Sequence, residues 1–159
     1  MKTLQTNHPP LKPLMLWDGK CGFCHWWIIR WKLITDDNVD FEKFQDALSR
    51  FPDIPEKTFE EAVRLIETDG MVYGGAHAVY RSFTYGKRRK WLYFLYKRSK
   101  TFARLSESVY HWISGHRSLM YNVTVTLLGK NPMDTKPYWF LYLCLIVFLS
   151  GVLNHSLWD

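Results

Sequence analysis

Two cysteines three positions apart, Cys21 and Cys24, follow a short apolar run and an Asp-Gly turn, in the order LKPLMLW, DGK, CGFC. Nothing else in the chain restricts its fold as much. Residues 11–17 read as a buried strand, with Pro13 tolerable only near its start. Asp18-Gly19 breaks that strand, because glycine accepts positive φ at no steric cost. From Cys21 the run CGFCHWWIIRWKLI contains no proline and is apolar almost all round, which fits a helix to about Ile34 buried on most faces. A strand that turns directly into a buried helix needs a sheet for that helix to pack on. The chain therefore reads as α/β.

The same spacing carries chemistry. Cys21 falls at the first turn of the helix, where unpaired backbone N–H groups and the positive end of the helix dipole point. A thiolate is favoured there and the thiol pKa is lowered. Cys24 lies one turn further on the same face and can attack a mixed disulfide formed on Cys21. Cys21 is thus the expected nucleophile and Cys24 the expected resolving thiol, with Lys20 adding a nearby positive charge. Asp18 has two readings: a proton acceptor during turnover, or a residue that caps the helix or fixes the turn. Neither its role nor the sign of its effect on Cys21 follows from sequence. Cys144, inside an apolar stretch, reads as an inert thiol.

The rest of the chain completes the layout. The spacing predicts a second strand over residues 39–44, helical turns over 45–60, a strand over 62–67, a hairpin turn at Thr68-Asp69-Gly70, a return strand over 71–73 and a helix over 76–83. The expected fold is a small mixed sheet flanked by helices, with extra C-terminal helices and a last apolar helix. Residues 87–113 read as one amphipathic helix, with Trp91, Phe94, Leu95, Phe102 and Leu105 on one side and Lys90, Lys97, Lys100 and Arg104 on another. Residues 119–128 are apolar and β-branched and are left unassigned. The expected organisation is a flexible arm at 1–11, a domain at 12–129, and a linker with an apolar anchoring segment at 130–159.

Charge is one-sided. The whole chain carries +6 at pH 7, yet no acidic residue occurs from Met71 to Ser106. Such a basic half points to an anionic partner. KRRKWLYFLYKRSK could in principle stack nucleic-acid bases. Trp and Tyr beside Lys and Arg, with an apolar tail downstream, instead favour the headgroup zone of a membrane. The expected partners therefore include a membrane, met by residues 87–104 and 138–153, and exclude nucleic acid. Residues 138–153 carry no charge. As a helix they would reach roughly 24 Å against a hydrocarbon core of ~30 Å, with Tyr138, Trp139 and Trp158 as interfacial anchors. A single C-terminal span is expected, its main domain on the cytoplasmic side because Lys130 and Lys136 precede it. The alternative is a soluble cytoplasmic protein whose last helix belongs to the core.

Strand, DGxCxxC and helix, here WDGKCGFC, resemble the DCC family of thiol-disulfide oxidoreductases, named for its Asp-Cys-Cys motif. VDFEKFQDA, with Gln45, resembles that family's second strand and following glutamine. RLIETDGMVYGGAHAV resembles its later strand pair, and VYHWISGHR, with Tyr110 and Arg117, its late helical segment. The resemblance covers roughly residues 14–129. It implies a thioredoxin-like fold and disulfide reductase or oxidoreductase activity carried by Cys21 and Cys24. A disulfide-bearing protein or small molecule would be the substrate and a thiol the electron donor, with no cofactor. Thioredoxins place a cis-proline before the strand facing the cysteine pair, where it contacts the substrate backbone. Here Thr58-Phe59-Glu60-Glu61 precede Ala62 and the nearest proline is Pro55, so substrate docking is expected to differ.

Three rival readings remain. CGFCH also matches the attachment signature of c-type haem, with His25 as the axial ligand. Haem attachment normally needs an exported chain, and the opening residues lack an apolar leader stretch. Zinc would need four ligands, and no second cysteine or histidine pair completes a set. Last, the pair could be vestigial in a redox-inactive, membrane-associated thioredoxin-like binding module.

Overall fold

The computed structural model describes residues 4–136 and 138–156, with side chains as far as 147. Five strands form one mixed sheet in the order β1-β5-β4-β2-β3: β1 (Leu4–Gln5), β2 (Leu14–Trp17), β3 (Asp40–Lys43), β4 (Arg64–Ile66) and β5 (Met71–Gly74). β2 and β3 run parallel and the other neighbours antiparallel. The parallel pair needs a crossover, supplied by α1 (Gly22–Thr35). The architecture is consistent with a thioredoxin-like fold.

Period-two alternation divides the core. Leu14 and Leu16 face Phe44, Phe51, Phe59 and Ile66 on one side, under α2 (Phe44–Ala47) and α3 (Glu56–Glu61). Met15 and Trp17 face Ile28, Leu65 and Ala78 on the other, under α1 and α4 (Gly75–Ser82). Strand β2 is covered on both sides, which is why LMLW is apolar throughout rather than alternating. A further helical layer, α5 (Lys90–Arg98), α6 (Lys100–Gly115) and α7 (Arg117–Leu128), lies over α1 and α4: α6 packs on α4 and α7 on α1. The last helix, α8 (Tyr138–Ser156), meets α7.

Two expectations are corrected. Residues 1–11 are not a free arm throughout, because Leu4 and Gln5 pair with Val72 and Met71. Thr6 is buried behind them, and its hydroxyl donates to Asp53. The Asn7 backbone N–H, also donated to Asp53, helps hold that carboxyl below its usual pKa. The helix expected over 87–113 is two helices, broken at Ser99, whose hydroxyl caps α6 by accepting the Phe102 N–H at 3.2 Å. Much of its apolar side is exposed, with Trp91, Phe94 and Leu105 at 60%, 65% and 62%, whereas Tyr96 is buried. The physical reason lies on the opposite face. The Tyr96 hydroxyl donates to Glu107 at 2.5 Å, and its ring lies 5.0 Å from His77 and 5.3 Å from Tyr80. A polar cluster, not the most apolar stripe, decides which side of α5 packs.

The unassigned stretch 119–128 is helical, within α7. The expected span at 138–153 begins with α8, but its side chains from 148 onward lie outside the described residues. Among the described residues, no helix is long and apolar enough to cross a membrane.

Candidate active site

The site is assembled where β2 ends. Residues Asp18 to Lys20 turn the chain, and the Cys21 N–H closes the turn on the Asp18 carbonyl at 3.1 Å. Cys21, extended at φ −96° and ψ 109°, is itself the N-cap of α1, and its Sγ accepts the Cys24 N–H at 3.1 Å. Sulfur takes the place that a serine or aspartate oxygen usually fills. One of the unpaired donors at the helix start thus points straight at the outer sulfur. Cys21 and Cys24 are joined as a disulfide, their Cα atoms 5.2 Å apart. Both are partly buried, and Cys24 packs against the core formed by Met15, Trp17 and Ile28.

The turn is held from two other elements, α2 and α7. Gln45, at the start of α2, accepts the Gly19 N–H at 3.1 Å and donates to Asp18 Oδ1 at 2.9 Å. The chain passes close to Lys43 at position 19, where a Cβ would come within 2.6 Å of that side chain and force it to shift. Asp18 Oδ1 also accepts the Lys20 N–H at 3.0 Å, and Oδ2 pairs with Arg117 at 3.3 Å. Arg117, at the start of α7, further donates to the carbonyls of Glu60 and Glu61 and to Ser114 Oγ. Asp18 therefore does not cap the helix. It fixes the turn, and its charge is balanced by a guanidinium held in place from the chain's far end.

Tyr110, on α6, accepts the Val63 N–H with its hydroxyl at 3.0 Å. Burial pushes its phenol pKa up. Val63 and Ala62 precede β4 beside Trp17 and Asp18, the place at which thioredoxins carry their proline; there is no cis peptide bond among the described residues. Behind the site, α4 starts at Gly75, whose φ of +62° favours glycine and whose Cβ would meet Glu107 Oε2 at 2.9 Å. Glu107 there accepts the His77 N–H at 3.1 Å. Desolvation lowers the His77 pKa.

Gln45 and Arg117, singled out by resemblance alone, converge on the cysteine turn, and Tyr110, singled out the same way, binds Val63 beside it. Lys20 is exposed, and His25, also exposed, stacks on Trp17 with ring centroids 5.5 Å apart. Sequence reasoning missed the tie between the linker and α1: Trp26 Nε1 donates to the Gly129 carbonyl and Arg30 to that of Pro132, both at 3.1 Å. It also missed a cavity of about 640 Å³ among α1, α4, α6 and α7, with Cys24 in its wall. Among the described residues, no three histidine, cysteine or carboxylate side chains are grouped so as to hold a metal ion.

Residues 15–122 match the family model of the DCC1-like thiol-disulfide oxidoreductases. No curated protein and no solved structure matches the chain. The matched region is more than half of the chain and contains every residue of the cysteine turn, together with Gln45, Tyr110 and Arg117. The chain belongs to that family.

Proposed function

We propose that this member of the DCC1-like family is a disulfide reductase in which Cys21 is the nucleophile and Cys24 the resolving thiol. In the reduced protein, the Cys21 thiolate attacks one sulfur of a substrate disulfide and the other substrate sulfur leaves as a thiolate. The Cys24 thiolate then attacks Cys21 Sγ and releases the second substrate thiol. Two electrons have passed to the substrate, and the Cys21–Cys24 disulfide remains. A thiol donor returns two electrons to restart the cycle. Asp18 is a positioning residue here, joined to Gln45 and Arg117 so that the turn presents Cys21. The observation that carries this reading is the Cys24 N–H aimed at Cys21 Sγ, which favours the thiolate before any substrate arrives. Substituting Cys21→Ser should abolish reduction of a disulfide substrate, whereas Cys24→Ser should accumulate a mixed disulfide on Cys21, visible by intact mass. Unchanged turnover in Cys21→Ser would remove the mechanism.

A second reading concerns location. Trp91, Phe94, Leu105 and Trp112 are exposed on α5 and α6 among Lys90, Lys97, Lys100 and Arg104, and the described part of α8 exposes Phe140, Leu141 and Leu143. Aromatic and basic side chains together suit an anionic bilayer surface on the cytoplasmic side, and favour it over nucleic acid. Vesicles containing phosphatidylglycerol should co-sediment the protein at low salt, and neutral phosphatidylcholine vesicles should do so less. Equal sedimentation with both would remove the electrostatic part of this reading.

A further inference from the structure

We propose that the cavity beside Cys24 receives a bulky apolar side chain next to the substrate's disulfide, so that the preferred substrates are proteins whose reactive cysteine has apolar neighbours. The inference rests on the exchange mechanism above and deepens it.

Main-chain docking at Val63, beside the cysteines, is blocked. The Val63 N–H is occupied by Tyr110 and the Val63 carbonyl accepts the Gly75 N–H at 3.1 Å, so neither is left to pair with an arriving backbone. The cavity lies next to the pair and offers another surface for recognition. Its volume of about 640 Å³ falls within the roughly 300–1,000 Å³ of small-ligand pockets, large enough for an aromatic side chain and adjoining backbone. Its wall is mostly apolar and includes Ile28, Val79, Ile113 and Met120, while Asp18 and Arg117 bring it to the cysteine turn. Of the two sulfur residues, Cys24 lines the cavity and Cys21 does not. A substrate tethered to Cys21 can therefore lay its flanking side chain across Cys24 into the cavity, leaving the Cys21 sulfur open to the resolving attack.

The test uses the full chain and two short peptides with an intermolecular disulfide, one with phenylalanine on both sides of its cysteine and one with serine. In the unmodified protein the phenylalanine peptide should be reduced with about tenfold higher kcat/KM. Ile113→Trp, which fills the cavity from α6, should bring the ratio of the two kcat/KM values close to one. Equal kcat/KM for both peptides in the unmodified protein would overturn the cavity inference and leave the exchange mechanism standing. Failure to reduce either peptide, with Cys21 slow to alkylate, would instead bring down the mechanism. Should Ile113→Trp fail to fold by circular dichroism, competitive inhibition by a cysteine-free phenylalanine peptide decides: inhibition at tenfold lower concentration than its serine counterpart supports the cavity, and equal inhibition overturns it. Dibenzyl disulfide reduced as well as the phenylalanine peptide would overturn the peptide assignment.

Discussion

The cysteine turn and the α5–α6 pair bury their polar groups for different ends. At the turn, Asp18, Gln45 and Arg117 come from β2's end, α2 and α7, and together hold the Gly19 and Lys20 N–H groups in place beside a sulfur. At α5–α6, Glu107, Tyr96 and His77 form a polar knot that selects which helix face is packed and leaves the aromatic stripe outside. Buried hydrogen bonds present a reactive atom in the first case and override hydrophobic pattern in the second. The difference teaches that a helix's most apolar face is not always its inner one.

That contrast can be broken by substitution, and the largest effect is expected at Glu107. Glu107→Ala strips the acceptor from the Tyr96 hydroxyl and the His77 N–H, and should destabilise the fold by about 3 kcal/mol in urea unfolding. Glu107→Gln, which still accepts, should cost about 1 kcal/mol. A smaller loss, about 1–2 kcal/mol, is expected from Arg117→Leu, because its ion pair with Asp18 is only partly buried. Its distinguishing readout is the pH profile of Cys21 alkylation, which should move to higher pH once the Asp18 charge is unbalanced. Arg117→Lys should restore part of that shift.

A pH effect tests the same knot. The His77 pKa is lowered in the folded protein, first by desolvation, then by Lys97. Its neutral form is thus favoured by folding. The associated stability is complete above the unfolded histidine value of about 6.5 and falls as pH drops below it, since the unfolded chain takes up the proton more readily. His77→Phe, set among the rings of Tyr73, Tyr93 and Tyr96, should flatten the decline between pH 7 and pH 5. The smallest effect is expected outside. Trp91→Ser and Phe94→Ser should each change stability by less than about 0.5 kcal/mol yet weaken binding to phosphatidylglycerol vesicles.

Legibility followed the range of the interactions. Strand β2, the turn and α1 could be read from WDGKCGFC because each step is local: apolar run, glycine turn, unbroken helix. The hairpin of β4 and β5 was readable from Thr68-Asp69-Gly70 for the same reason. The outward face of α5 was hidden, since it depends on Glu107 meeting residues from α4 and α5. Strand β1 was hidden too, because two residues carry no periodicity and pair only across the fold with β5. The cavity exists only between four helices. Of the site residues, Asp18, Cys21 and Cys24 announce themselves by spacing. Gln45, Tyr110 and Arg117 carry no local pattern of their own and were visible only through resemblance. Even then the partners Val63, Glu60 and Glu61 could not be named in advance.

The bonds from Trp26 and Arg30 to the carbonyls of Gly129 and Pro132 have one more result. The helix that starts at the sulfurs also moors the segment leading to the last helix. Between Cys21 and Arg30 lie nine helical steps, or about 14 Å of axis. One stiff helix thus joins the sulfurs at its start to the segment that leads into the last helix.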